Sequence, residues 1–399
     1  MLRPGTFALT ALLAALSAIG PLTTDMYLPS LPDIARQLNG STAQVQFTIS
    51  AYLIGFAVGQ IFYGPVSDRH GRKPVLIAAI ALYCVASLAC ALSTSIEMLI
   101  VGRAFQALGG SGGLILTRAI VRDIYSGARA GRELSLIASV MALAPVLAPI
   151  AGGLLQTGFS WRAVFFTLVA AGLVGAGVVC AVLPETLNLR AAEPVSVASM
   201  LRSYRVVARN PAYLAYLGIT SASYAGLFVW ISGAAFVLQD LYGLSPFDFG
   251  VAFALGSVGY MAGSAVAARV VVRLGLDGVL GIGGGACAAG GLGMVAAVAL
   301  GLTSALSLVL PVAVYLAGLG MVLPQGIAGA LTPFPERAGT ESSLFGFVQQ
   351  SAAALCGAVV GWLLGQSAWP LAAGVAAMGC ATLGLWLTTQ GVRRVVTKS

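Results

Sequence analysis

About twelve apolar runs, each close to the ~20 residues that carry an α-helix across a bilayer, leave this chain few folds to choose from. Their limits fall near 6–29, 43–63, 74–92, 97–120, 133–157, 162–183, 211–239, 246–270, 278–300, 303–330, 341–366 and 369–390, and they are numbered here as spans 1 to 12. A β-barrel would show short alternating segments instead. Only 9% of the 399 residues are charged, against roughly 25% in a soluble domain, so a water-facing surface is out of reach. The sequence predicts an all-α integral membrane protein. Residues 2–18 resemble a signal peptide, but the apolar run continues to Leu22 past a poor cleavage site. They are read as the first, uncleaved span.

The net charge of +8 does not point to nucleic acid, because the bases gather at alternate ends of the spans. With a cytoplasmic N-terminus, one side carries Arg69, Arg72, Lys73, Arg122, Arg129, Arg132, Arg190, Arg202, Arg205, Arg209, Arg273 and Arg337, together with Arg3, Arg393, Arg394 and Lys398. The other side carries Arg36 and Arg162. The positive-inside rule then places both termini in the cytoplasm. Six cysteines lie within apolar runs with no C-x-x-C spacing, which suits packing rather than disulfides or metal. Glycine-rich stretches at 109–113 and 281–285 mimic nucleotide-binding loops, but neither follows a strand and the first lacks the Walker lysine; close helix packing explains them.

The longest charged connection, Pro184 to Asn210, divides two halves: 1–190, a linker at 191–210, and 211–399. A weak internal repeat supports the division. Asp68-Arg69-His70-Gly71-Arg72-Lys73-Pro74-Val75-Leu76 aligns with Val272-Arg273-Leu274-Gly275-Leu276-Asp277-Gly278-Val279-Leu280. Duplicated halves are a common transporter plan.

Three stretches carry chemistry. The first is Gly20-Pro21-Leu22-Thr23-Thr24-Asp25-Met26-Tyr27-Leu28-Pro29. An acid at lipid depth is costly and marks function, and Pro21 permits a bend beside it. Asp25 and Arg103, on antiparallel spans 1 and 4, fall at similar depth. Burial disfavours a charged carboxylate and a nearby arginine favours it, so access from either side would alter both effects, as a proton carrier requires. The second is the turn Gly64-Pro65-Val66-Ser67-Asp68-Arg69-His70-Gly71-Arg72-Lys73-Pro74. Gly64 allows close helix approach, Asp68 and Arg72 have pairing distance if helical, and Asp123 is a further partner: a conformational latch. The third is Pro145 and Pro149, one turn apart in span 5 with Met141 and Gly152-Gly153 near the same face. That smooth face suits sliding on the other half. Met26, Tyr52, Gln60, Gln106, Met141, Tyr224, Phe228, Tyr260 and Gln350 are candidates for a substrate cavity of mostly apolar character. Tyr216, Trp230 and Gln349 are further aromatic or polar positions at membrane depth.

These motifs resemble known ones. The turn at 64–73 is similar to the signature of the major facilitator superfamily, with Val66 in place of leucine. Arg103-Ala104-Phe105-Gln106-Ala107-Leu108-Gly109 resembles the R-x-x-Q-x-x-G motif of its drug/proton antiporters. Ala144-Pro145-Val146-Leu147-Ala148-Pro149-Ile150-Ala151-Gly152-Gly153 resembles their span-5 antiporter motif, with alanine for glycine at 144 and 148. Asp25-Met26-Tyr27-Leu28-Pro29 resembles span 1 of the Bcr/CflA branch. The resemblance implies two pseudo-symmetric six-helix bundles and proton-driven export of antibiotics or other small amphipathic compounds from the bacterial inner membrane by alternating access. It implies a monomer with drug, protons and bilayer as partners, no nucleic acid, no metal and no cofactor beyond the proton gradient. A proton-coupled importer of a small nutrient with the same fold is the alternative, and a receptor or scaffold without transport a distant third. An enzyme lacks parts: His70 is the sole histidine, and a nucleotide-driven pump would need Walker motifs.

Overall fold

The computed structural model describes residues 6–125, 127–187, 204–332 and 338–396. Arg3, Arg190, Arg202, Arg337 and Lys398, the side chain of Arg394 and most of the linker at 191–210 lie outside that description.

Among the described residues, eleven helices are long and apolar enough to cross a membrane. One of them, Pro246–Ala299, has 54 residues, roughly 80 Å at 1.5 Å per residue and far more than one ~30 Å crossing. It is broken at Gly275, whose φ of 69° and ψ of 172° are non-helical. Spans 8 and 9 therefore run together around one glycine, and the twelve-span count stands. Span starts carry ordinary caps: Ser41 accepts from the Gln44 N–H in a capping box, and Ser95, Asn210 and Ser245 accept from N–H groups three residues on.

The chain divides into two compact units, Met1–Val195 and Ser196–Ser399. In the first, span 4 (Ile96–Ile124) packs on spans 1, 2 (Thr42–His70) and 3 (Arg72–Ala91). Span 3 also packs on span 6 (Trp161–Val182), and span 1 on span 5. In the second, span 10 (Ala305–Leu331) packs on span 7 (Pro211–Ala235) and on spans 8 and 9. Span 7 also meets span 11 (Ala338–Leu363) and span 12 (Trp369–Thr388).

The duplication is sharper in the backbone than in the sequence. A Cβ at Gly55 would lie 2.2 Å from the Ala104 carbonyl oxygen, and one at Gly259 would lie 2.1 Å from that of Ala313. One turn on, Gly59 packs against the Ser111 side chain and Gly263 against the Ala317 carbonyl. At the same spacing again, Gly71 (φ 99°) and Gly275 (φ 69°) turn the chain between spans. Pairing Ala104 with Ala313 sets Val312 opposite Arg103, so the repeat carries no counterpart of Arg103 in the second unit.

Two spans depart from a continuous helix. Span 1 runs through Pro21 as helix Phe7–Asp25, turns at Met26–Tyr27, and continues as a 3₁₀ turn Leu28–Ser30 and helix Leu31–Gln37. The bend falls just after Asp25 rather than at the proline. Span 5 consists of Gly127–Met141 and Ala144–Gly158, broken at residues 142–143. Pro145 opens the second helix, where its missing N–H costs nothing.

Candidate functional site

Arg103 is fully buried at the centre of the first unit. Its guanidinium carbon lies 4.4 Å from the ring centroid of Tyr27 and 4.3 Å from that of Tyr52, with Phe165 further off at 6.0 Å. Tyr27 donates its hydroxyl proton to Thr48 at 2.8 Å, since Thr48 spends its own on Val45 O. Tyr52 donates to the Gly20 carbonyl at 3.1 Å. Nη1 of Arg103 donates to Gln106 Oε1 at 2.7 Å and to the Thr23 carbonyl at 3.3 Å. The R-x-x-Q spacing has a physical reason here: residues three apart on a helix share a face. Gln106 Nε2 in turn donates to Ser87 on span 3 at 2.8 Å.

The Thr23 contact bears directly on the matched-depth expectation, because Arg103 reaches the backbone two residues before Asp25. A direct pair with Asp25 does not follow. Among the described residues no ion pair joins them. Asp25 itself is buried, 5% exposed, with no hydrogen-bond partner among the described residues. Tyr52 instead lies against the guanidinium and donates to Gly20 on span 1. Arg103 keeps Nε and Nη2 unpaired, so aromatic faces replace the carboxylate as its main counter-surface.

Gln106 is thus engaged in holding Arg103 and is fully buried. Tyr52 is buried as well. Met26 is buried, and its carbonyl oxygen lies where a Cβ on Gly152 would be, at 2.1 Å. Gly152 therefore packs on span 1 of its own unit, beside Asp25. Pro149 and Gly153 are buried, while Pro145 and Met141 are half-buried. Gln60 is half-buried on span 2. In the second unit, the Tyr224 and Phe228 rings meet at 5.0 Å, Tyr260 is half-buried, and Gln350 is buried with Oε1 unpaired.

The turn between spans 2 and 3 forms a network around Arg72. The guanidinium pairs with Asp68 and with Asp123, whose Oδ2 is 2.8 Å from Nε, and Nη1 donates to Ser67 Oγ at 2.6 Å. Gly71 supplies the left-handed turn that lets helix Arg72–Ala91 start there. Two expected members stand apart: Arg69 is exposed, and a Cβ on Gly64 would meet nothing within 4 Å.

The sequence reading missed Glu185. Its carboxylate caps the start of span 3, accepting from the Arg72 N–H at 2.9 Å and the Lys73 N–H at 3.2 Å. It also accepts from Thr186 and Leu187. Burial pushes this carboxyl up, but the four backbone N–H groups outweigh it and hold it below the ordinary carboxylate range. An anion at a helix N-terminus is well placed. Thr186 also donates to Asp123 at 3.3 Å, tying the end of span 6 to the same network. A further missed cluster closes the opposite end of the unit: Gln156 donates to Asp33 at 2.8 Å and accepts from Ser30 at 2.9 Å, and Trp161 donates to Gln37 at 2.8 Å.

Two duplicated six-span units, with Arg103 and Asp25 buried within the first and a charged turn between spans 2 and 3, define a membrane transporter rather than an enzyme. The sequence profile of the Major Facilitator Superfamily matches residues 13–357, and the chain belongs to that superfamily. It is 34% identical over 90% of its length to a Bacillus subtilis protein described as uncharacterized MFS-type transporter YdgK, covering 88% of that protein. It is 29% identical to a bicyclomycin resistance protein homolog of Haemophilus influenzae, covering 92% of each chain. It is 30% identical to multidrug resistance protein D of Escherichia coli, covering 88% of this chain and 87% of that one. These relatives match the branch that the span-1 motif resembles. A crystal structure of the peptide transporter POT in complex with sulfate shares the fold at a TM-score of 0.77, 16% identity and coverage of 100% of this chain and 96% of that one.

Proposed function

We propose that this chain is a proton-coupled antiporter that exports antibiotics or other small amphipathic compounds across the bacterial inner membrane by alternating access. It acts as a monomer, with both termini cytoplasmic and residues 191–210 as the linker between its halves. The observation that carries the reading is Asp25. It is a buried carboxylate at the end of a helix, with no partner among the described residues and two residues from the backbone that Arg103 touches. No hydrogen bond or ion pair among the described residues compensates a charge on it, which suits a group that takes up and releases a proton as water reaches it.

The network around Arg72 supports a two-state cytoplasmic closure, because a buried ion pair that must break is a discrete rather than graded contact. The relatives named for bicyclomycin and multidrug resistance favour export over nutrient import. Expression in an efflux-deficient bacterium tests the direction: cells carrying the chain should accumulate less chloramphenicol, and a protonophore should abolish the difference. Equal accumulation across a panel of antibiotics, or higher accumulation with the chain present, would favour the importer.

A further inference from the structure

The turn that joins spans 8 and 9 is tied to the segment beyond span 12 by a buried arginine. Span 12 ends at Thr388 and is followed by a short helix, Gln390–Val396. Arg393 in that helix is 1% exposed. Its Nε donates to Asp277 Oδ1 at 2.7 Å, Nη2 donates to the Trp386 carbonyl at 2.8 Å, and Nη1 donates to Thr389 Oγ1. Trp386 adds a second tie to the same acid, donating its indole N–H to the Asp277 carbonyl at 3.0 Å. A Cβ on Gly281 would overlap the Trp386 ring, so span 9 meets that ring with bare backbone. Asp277 is thus held by side chain and by main chain, two residues after the break at Gly275.

The first unit ties its corresponding turn in the same place with the charges exchanged. The repeat sets Lys73 opposite Asp277. Lys73 Nζ donates to the Cys180 carbonyl in the last turn of span 6 at 2.8 Å, and its backbone N–H donates to Glu185, just past that span, at 3.2 Å. A cation on the turn and an anion beyond span 6 are matched by an anion on the turn and a cation beyond span 12. The pair inside the first turn has no counterpart, since Val272 stands opposite Asp68 and Leu276 opposite Arg72. The two networks also differ in their freedom. Arg72 holds two carboxylates, Asp68 and Asp123, so it can keep one while it releases the other. Arg393 has one carboxylate among the described residues, and its other donors are spent on Trp386 and Thr389 beside it. Releasing Asp277 would leave a buried charge unpaired, which is costly.

We propose that Arg393 is a positioning residue for transport: through Asp277 it keeps the turn between spans 8 and 9 fixed to span 12, while the network around Arg72 trades partners. The proposal rests on the transporter reading for the cycle it serves, and on the geometry alone for the tie.

Hydrogen exchange of the purified full-length chain and proton-driven chloramphenicol uptake in everted vesicles test it together. In Arg393→Gln the amides of residues 276–281 should exchange roughly tenfold faster or more, because losing a buried charged partner lowers the local opening cost by at least that factor. The amides of residues 64–74 should exchange as in the native chain. The maximal uptake rate should fall about tenfold while the drug concentration at half-maximal rate moves less than about twofold. Arg393→Lys should recover part of the rate, because an ammonium can pair with Asp277 but lacks the planar fork that also holds Trp386 and Thr389. If Arg393→Gln fails to fold, Asp277→Asn, at a side chain 29% exposed, carries the comparison. Faster exchange with native uptake, or a loss of affinity in place of rate, overturns the positioning role. Unchanged exchange overturns the tie itself. A native chain that takes up no chloramphenicol contradicts the exporter reading, and the exchange comparison then decides the proposal on its own.

Discussion

Gly152→Ala places a methyl where the backbone already is. The new Cβ would lie 2.1 Å from the Met26 carbonyl oxygen and 2.8 Å from its carbon. The obstacle is main chain, so no rotamer change relieves it, and spans 1 and 5 must part by about 1 Å to reach ordinary contact. Overpacking of this kind costs about 1–3 kcal/mol, or roughly 5- to 150-fold in the balance between packed and parted arrangements. The strain falls on the residue next to Asp25, so transport should suffer along with stability. Thermal unfolding of purified protein and proton-driven drug uptake in everted vesicles read the two effects. Gly64→Ala is the control, since nothing lies within 4 Å of its Cβ, and it should leave both unchanged. If Gly152→Ala behaves like Gly64→Ala, the close approach of span 5 to Met26 is not what the span-5 glycine is for.

Asp123→Asn should slow turnover far more than Asp68→Asn, because the Asp123 side chain is 19% exposed and that of Asp68 44%. Breaking the more buried pair costs about 3–5 kcal/mol, against at most ~1 for an exposed one, and turnover at saturating drug measures the difference. Arg103→Lys should lower thermal stability and uptake together, since a point charge cannot be flanked by both tyrosine rings while holding Gln106; a native-like variant would remove the aromatic sandwich as the reason for arginine. Glu185 has its carboxyl held below the ordinary range, so its anchoring is complete above the unfolded value of about 4.3 and fades only as pH falls through the lowered folded value. Glu185→Gln should therefore reduce uptake by the same factor at every pH between about 6 and 8, and a factor that varies across that window would contradict the assignment.

What the sequence revealed and what it hid divide along separation in the chain. Arg103 with Gln106 and Asp68 with Arg72 are three and four residues apart, spacings that a helix converts directly into contact. The latch partner Asp123 was reachable by topology, since it ends the span next to that turn. Glu185 lies over a hundred residues from the N–H groups it caps, and no local pattern announces it; the only signal is an acid just beyond span 6 opposite a cationic turn. The Tyr27–Arg103–Tyr52 stack was hidden because aromatic residues in an apolar run look like core. The two units repeat their glycine contacts faithfully although little sequence identity survives, because a glycine against a carbonyl tolerates no substitute while the lipid-facing side chains around it are free to change.

The central claim is that Asp25 carries the proton. Drug-induced alkalinisation inside acid-loaded everted vesicles, followed with a pH-sensitive dye, measures it most directly. The native chain should release protons from the lumen when drug is added. Asp25→Asn, expressed and folded to the same level, should still bind drug and show no drug-dependent proton movement. Proton release by Asp25→Asn at the native rate would place the coupling elsewhere and contradict the account.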